Sequence, residues 1–132
     1  MLQNRFNPAS AIFFIFSLLM LSTQVTAAET VASGTFNGAS GHVTSGTVTM
    51  VNVSGELQVV LGDDFDFDGA PDAKVGFGKD GKYDSNSQLD VLRSNSGGQV
   101  YKVPASLNID AFNEVYIWCK QYAVPLGVAK IE

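Results

Sequence analysis

The chain has 132 residues, of which 45% are hydrophobic and 16% are charged. This length suits one domain with a short extension, and the composition excludes a disordered chain or a coiled coil. A formal net charge of −5 argues against nucleic-acid binding, because phosphate contacts need a basic face. The single cysteine excludes an intramolecular disulfide, a four-cysteine zinc site, an iron–sulfur cluster and a C-x-x-C redox pair.

Residues 1–28 have the organisation of a secretory signal. A basic residue, with no acidic one, precedes an apolar segment at residues 11–21. This segment is shorter than the ~20 residues that a membrane-spanning helix needs, which favours a cleaved signal over a retained anchor. Small residues then offer cleavage after Ala27 or Ala28. We therefore expect a secreted or periplasmic protein with no stable membrane span after cleavage, and a mature domain at residues 29–132.

The mature segment has the pattern of an all-β domain. Alternating or β-branched stretches between turn residues predict six strands, and no stretch shows a sustained helical period. The predicted strands are residues 43–51, 56–61, 73–78, 100–103, 114–122 and 124–131. The expected fold is a single antiparallel β-sandwich or a small barrel-like domain.

Two further features of the sequence, a proline and a polar segment, allow structural predictions. Pro125 lies near the start of the last predicted strand. Proline cannot donate a hydrogen bond to a neighbouring strand, so this strand is predicted to lie at a sheet edge. Residues 79–88 are rich in serine, asparagine and aspartate, which predicts a mobile loop.

An acidic run after the second predicted strand has the spacing of a calcium loop. Asp64, Asp66 and Asp68 fit the D-x-D-x-D-G start of such a loop. An EF-hand also needs a bidentate glutamate at loop position 12, where this chain has Val75. A weak cation site of another kind, formed by Asp64, Asp66, Asp68 and Asp72, stays a hypothesis.

The same run also fits a strand with two different faces. Phe65 and Phe67 would point inward, while the intervening aspartates would lie in solvent. We favour this interpretation over a metal site, because the position-12 ligand that defines the EF-hand is missing.

Cys119 is the single cysteine of the chain, and its thiol is either buried in the core or chemically active. It shares its strand parity with Val115 and Ile117, whereas Tyr116 and Trp118 occupy the other face. This parity favours a buried cysteine that behaves as a small apolar residue. The alternative is a redox-active or metal-ligating thiol, which is normally accessible and has a low pKa.

His42 is the one histidine of the chain. A surface or turn histidine is the favoured interpretation, and one histidine with one cysteine cannot complete a blue-copper site. A nucleophilic dyad of Cys119 and His42 would need a hydrogen bond between them. The chain has no G-x-S-x-G, H-E-x-x-H or P-loop motif, so no catalytic motif is recognised.

Ordered segments of the mature chain together resemble the DM13 domain family. These segments are residues 34–36, 42–48, 67–72, 95–104 and 115–122. The resemblance extends from about residue 32 to residue 131 and implies a compact all-β extracytoplasmic domain. It also implies a redox or electron-transfer role centred on the cysteine of a Trp-Cys pair, which here is Cys119.

The resemblance makes Cys119 the main candidate for a reactive group. Since the chain has no second cysteine, oxidation would give a sulfenic acid or a mixed disulfide with a partner. His42 and Trp118 would set the environment of the thiol and are the candidate residues for binding a cofactor, whose identity is unknown. We expect an exported redox accessory with a redox or envelope protein partner of unknown identity.

The alternative function is a non-catalytic extracytoplasmic binding module that uses the acidic run or an aromatic face. A hydrolase built on Cys119 and His42 is the least favoured interpretation.

Overall fold

The computed structural model describes residues 17, 19–24 and 27–132. Most of the predicted signal segment, including two residues beside its proposed cleavage positions, lies outside the described residues. Residues 29–132 contain all the strands that the structure describes. No helix in the described part of the chain is long and apolar enough to cross a membrane.

The described residues form eleven strands and two short 3₁₀ turns. The strands are β1 Glu29–Gly38, β2 Thr44–Ser45, β3 Thr47–Val53, β4 Glu56–Leu61, β5 Asp66–Phe67, β6 Ala73–Lys79, β7 Lys82–Tyr83, β8 Asp90–Val91, β9 Gln99–Lys102, β10 Glu114–Cys119 and β11 Val124–Lys130. The 3₁₀ turns are Ser85–Ser87 and Ile109–Ala111.

Nine of these strands form one antiparallel sheet that curls into a half-barrel. Their order is β7-β6-β10-β11-β1-β3-β4-β9, with β8 also paired to β6, while β2 and β5 form a separate two-stranded ribbon. The backbone N–H of Arg93, after β8, donates to Tyr101 Oη in β9 at 3.1 Å and links the two ends of the sheet. The predicted all-β antiparallel fold is confirmed, and its form is the barrel-like one.

The core lies on the inner face of the curled sheet, where alternate residues of the strands meet. Val48 of β3, Leu61 of β4 and Ile117 of β10 are all fully buried there. Phe65 and Phe67 are 1% and 3% exposed, whereas the aspartates beside them are exposed. The predicted inward orientation of these two phenylalanines is therefore confirmed.

A glycine bend divides the first predicted strand, residues 43–51, into β2 and β3. Gly46 lies between them with a φ of 101°, a conformation that L side chains rarely adopt. A Cβ at this position would also lie 2.5 Å from Phe65 Cα. The bend takes β2 away from the main sheet and pairs it with β5.

The last strand is central, so the prediction that Pro125 marks an edge strand is wrong. β11 lies between β10 and β1. Pro125 pairs with Trp118 at a register shift in the ladder with β10, and β1 pairs with β11 only from Gly127 onward. The missing N–H is tolerated because it falls at this irregularity, beyond the part of β11 that β1 pairs with.

Residues 79–88, predicted as a loop, contain the last residue of β6, the turn of the β6–β7 hairpin, β7 and the first 3₁₀ turn. Asp80 and Gly81 connect the two strands and have φ values of 51° and 83°, as in a tight primed turn. Ser87 is 1% exposed, and its Oγ donates to the carbonyl of Phe77 at 2.8 Å. The polar composition therefore reflects an outer hairpin that is hydrogen bonded to β6.

Replacing Gly46 by alanine should destabilise the domain far more than replacing Gly41. Both glycines have positive φ, which costs an alanine about 1–2 kcal/mol. A Cβ at Gly41 meets nothing within 4 Å, whereas one at Gly46 meets the backbone of Asp64 and Phe65. Urea denaturation of the two variants should show a clearly larger loss of unfolding free energy for Gly46→Ala. Equal losses of unfolding free energy would show that the close approach of the Asp64 and Phe65 backbone to Gly46 does not add to the cost of an alanine there.

Candidate functional site

Strand β10 carries both the predicted thiol and the predicted indole. It lies between β6 and β11, so both of its edges are hydrogen bonded. Successive residues of a strand point to opposite faces. Cys119 therefore faces the core, while Trp118 lies on the outer face against the β6–β7 hairpin.

The thiol of Cys119 is buried, with the residue 1% exposed. Its Sγ donates to the backbone carbonyl of Pro71 at 3.3 Å. We call Asp68–Asp72 the cover segment, because it lies over this thiol. The backbone N–H of Lys120 donates to the carbonyl of Asp72 at 3.1 Å and fastens the end of the segment to the strand. The predicted inward orientation of Cys119 is confirmed.

Side chains fix both ends of the cover segment. At its start, Asp68 accepts hydrogen bonds from the backbone N–H of Val43 at 3.0 Å and from His42 Nδ1 at 2.9 Å. These two contacts, the backbone one first, hold the pKa of Asp68 below its usual value. At its end, Asp72 forms an ion pair with Lys74 at 2.9 Å. His42 therefore acts on the loop above the thiol.

The structure does not assemble a dyad of His42 and Cys119, the arrangement that the sequence favoured least. His42 lies in the turn between β1 and β2, as the sequence favoured, and its ring packs 5.9 Å from that of Phe67. Its Nδ1 contacts Asp68, whereas the thiol contacts a carbonyl. No hydrogen bond joins the two side chains within the described chain.

The four aspartates of the predicted cation site have separate environments. Asp64 accepts from the backbone N–H and the hydroxyl of Thr47, at 2.9 and 2.8 Å, and these bonds lower the pKa of its carboxyl. Asp68 and Asp72 hold the ends of the cover segment, and Asp66 is exposed on β5. No three His, Cys, Asp or Glu side chains in the described ranges are arranged to hold a metal ion.

A group of three aromatic side chains lies on the outer face, and of these only Trp118 belongs to the predicted site. We call Tyr83, Tyr116 and Trp118 the outer aromatic cluster. The rings of Tyr83 and Trp118 are stacked, with centroids 4.3 Å apart and planes at 14°. Tyr116 lies 5.5 Å from Tyr83 and 6.4 Å, edge-on, from Trp118. Strand parity places Tyr116 beside Trp118, but Tyr83 comes from the segment predicted as a loop.

Two glycines on β6 make room for this cluster. A Cβ on Gly76 would lie 2.8 Å from the ring and hydroxyl of Tyr83, and a Cβ on Gly78 would overlap the ring of Tyr116. Between them, Phe77 points into the core. The alternation of glycine and phenylalanine in β6 is the sequence signal for rings packed directly on the outer backbone.

The hydroxyls of the two tyrosines have different surroundings. Tyr116 Oη donates to Glu114 Oε2 at 2.9 Å. Glu114 is 2% exposed, and both of its carboxylate oxygens also accept from the backbone N–H of Gly81, at 3.0 Å. Tyr83 Oη is buried and has no hydrogen-bond partner among the described residues.

These surroundings raise the pKa of both phenols. Burial, with a smaller effect of the nearby Asp84 charge, raises the pKa of Tyr83 to about 12. Burial also raises the pKa of Tyr116, and the hydrogen bond and charge of Glu114 add to this effect. Both hydroxyls therefore keep their protons at neutral pH.

The sequence was compared with models of known protein families, with curated proteins and with solved structures. A family model described as electron transfer DM13 matches residues 35–131, which is most of the chain. The chain belongs to the DM13 family. The match contains Cys119, the cover segment and the outer aromatic cluster. No curated protein and no solved structure matches the chain.

Two conservative tyrosine variants of this DM13 domain should differ in their effect on the free energy of unfolding. Tyr116→Phe should lower the free energy of unfolding by about 1–2 kcal/mol, because the buried Glu114 carboxylate loses a donor. Tyr83→Phe should leave it unchanged or raise it by up to about 1 kcal/mol, because the hydroxyl removed is buried and has no hydrogen-bond partner in the described part of the chain. Urea denaturation at neutral pH measures both values.

Alkaline denaturation provides a second measurement on the same pair. The pKa of Tyr83 is about 12 in the folded protein and near 10 when unfolded. Ionisation of Tyr83 therefore leaves the free energy of unfolding unchanged below pH 10 and lowers it as the pH rises from 10 toward 12, because the unfolded chain loses the proton first. Tyr83→Phe should reduce this loss of stability. A variant as sensitive to alkali as the unsubstituted chain would contradict the assignment.

Proposed function

We propose that this DM13 protein is an exported redox domain in which Cys119 is a reactive group. The observation that carries the proposal is the match to an electron-transfer family over residues 35–131, which includes the thiol. The position of Cys119 beneath the cover segment is consistent with a thiol that is shielded until a partner binds.

In the closed structure the thiol is hydrogen bonded to a backbone carbonyl and is not accessible to a partner. Sγ donates to this carbonyl, and the residue is 1% exposed. Reaction therefore requires the cover segment to move and the thiol to pass its proton to solvent. The thiolate then attacks one sulfur of a partner disulfide, forms a mixed disulfide, and releases the other sulfur as a thiolate.

The mixed disulfide cannot be resolved from within this chain. Cys119 is its single cysteine, and attack by the thiolate that the partner has just released would only reverse the first step. A thiol of a third molecule must therefore attack the partner's sulfur, which forms a new disulfide and releases Cys119 as a free thiol. His42 contributes by holding the start of the cover segment through Asp68. Trp118 lies on the opposite side of the sheet and does not contact the thiol in this arrangement.

The alternative, a binding module, rests on the acidic run. Asp63 and Asp66 are exposed, and neither forms an ion pair within the described residues. Such a module would bind a cationic ligand and leave the thiol inert. The reactivity of Cys119 in the folded protein discriminates between the two functions.

Loosening the cover segment should speed the labelling of Cys119 by a small alkylating reagent. Lys74→Met removes the ion pair with Asp72, and such a partly exposed pair holds a segment with at most about 1 kcal/mol, or about five-fold in the open population. Labelling of the native variant, followed by mass spectrometry, should rise by up to this factor. Lys102→Met, which breaks the exposed pair with Glu56, is the matched control and should change nothing.

The same assay includes the redox step. Oxidised glutathione should add one glutathione to the native protein at Cys119, faster in Lys74→Met than in Lys102→Met. If the native protein forms no adduct with either reagent while the urea-denatured protein forms both, the thiol is a core residue. The binding module is then the better description.

Export is supported by where the fold begins. Strand β1 starts at Glu29, the residue that follows cleavage after Ala28. Before it, Leu19, Met20 and Leu21 are 82%, 81% and 83% exposed, so these apolar side chains do not belong to the core. The domain therefore uses none of these three residues for its packing.

The N-terminus of the exported protein tests this proposal. Expressed in a bacterium and recovered from the periplasm or medium, the protein should begin at Ala28 or Glu29 by intact mass. Leu19→Asp, which places a charge in the apolar segment, should leave the uncleaved precursor in the cell. A protein that begins at Met1 and stays in the cytoplasm would overturn the proposal.

A further inference from the structure

We propose that Tyr116 is a second redox group of this domain, one that loses an electron together with its hydroxyl proton, with Glu114 as the proton acceptor. The inference rests on the redox role proposed above but not on the chemistry of Cys119. Its support is the geometry of the outer aromatic cluster.

A buried phenol is easily oxidised only when its proton has an acceptor at hand, because the cation radical formed otherwise is strongly acidic and poorly solvated. Tyr116 Oη lies 2.9 Å from Glu114 Oε2 and donates to it. The backbone N–H of Gly81 holds the carboxylate from the other side. The acceptor is therefore positioned before oxidation begins.

Two other buried groups, the hydroxyl of Tyr83 and the thiol of Cys119, are not hydrogen bonded to a carboxylate of the residues that the structure describes. The hydroxyl of Tyr83 has no partner among the described residues, and the thiol of Cys119 faces a carbonyl. A carbonyl is too weak a base to take a proton. Among these three groups, only Tyr116 is hydrogen bonded to a carboxylate.

The cluster also gives the electron a route to the surface. Tyr116 contacts the ring of Trp118 edge-on, and Trp118 is stacked on Tyr83. Trp118 is partly exposed on the outer face of the sheet. A strong one-electron oxidant docked there, such as the peroxide-oxidised haem of a partner protein, would lie one aromatic ring away from Tyr116.

Oxidation of Tyr116 needs only two acceptors, the partner's metal centre for the electron and Glu114 for the proton. Tyr116 loses one electron to the metal centre of the partner, which is reduced by one unit, and its O–H bond breaks. The proton forms a new O–H bond on Glu114, and a neutral tyrosyl radical remains. Glu114 lines a surface cleft with Asn113 and Lys130, through which the proton exchanges with water.

Flash oxidation of the purified protein tests this inference. A photogenerated ruthenium(III) polypyridyl complex serves as the one-electron oxidant, and electron paramagnetic resonance detects the tyrosyl radical. The unsubstituted protein should form a radical more slowly in D₂O than in H₂O. Glu114→Gln should slow radical formation by about 100-fold, the lower end of what a positioned base contributes.

Matched variants assign the radical to one residue. Tyr116→Phe should abolish the long-lived radical, whereas Tyr83→Phe and Tyr122→Phe should retain it. Tyr122 is 64% exposed and belongs to no part of the cluster. Circular dichroism checks that each variant is folded. If Tyr116→Phe does not fold, the rate and isotope effect of Glu114→Gln decide the result.

Two outcomes would overturn the inference. One is a radical of unchanged yield in folded Tyr116→Phe, and the other is an unchanged rate in Glu114→Gln. Cys119→Ser separates this inference from the proposed thiol chemistry. It should abolish glutathione addition and leave the radical intact, so the failure of one proposal is distinguishable from the failure of the other.

Discussion

The pairing of β10 on both of its edges is the constraint on which the rest of this structure depends. Because β6 and β11 hydrogen bond to it along its length, the strand cannot rotate, and alternation alone decides which side chain faces inward. A slip of one residue would exchange the faces of Cys119 and Trp118. The thiol and the indole are thus adjacent in sequence yet separated by the sheet, and they belong to two different chemical environments.

Burial of the outer face follows from the same constraint. Glu114 and Tyr116 are both buried on an interior strand of the sheet, and burying a carboxylate is costly unless hydrogen bonds replace water. The β6–β7 hairpin supplies a hydrogen bond to the carboxylate, from the backbone N–H of Gly81. It also shields the ring of Tyr116 from solvent, because the ring of Tyr83 packs against it. Glycines in β6 allow this close approach. A short hairpin therefore completes a second, outer core that also holds a hydrogen-bonded phenol.

Local patterns in the sequence predict local structure well and distant contacts poorly. Parity along residues 114–122 places Cys119 inward, and this needs no knowledge of the neighbouring strands. β1 is missed because its alanine, serine and glycine residues lack the β-branched pattern, and they form a strand only through their pairing with β3 and β11. The contact between Gly81 and Glu114 joins positions 33 residues apart, so it depends on a strand order that no local period encodes.

Cys119 and Tyr116 place different demands on a redox partner. In the proposed disulfide exchange the partner's sulfur would have to reach Sγ, so the cover segment would have to open, and we expect this opening to limit the rate. The proposed electron transfer from Tyr116 would need no such opening, because Trp118 already reaches the surface and Tyr116 is already hydrogen bonded to Glu114. A metal centre that docks on the outer face would exchange electrons with the closed protein. If both proposals hold, the buried thiol would serve slow, covalent exchange and the outer face would serve one-electron transfer.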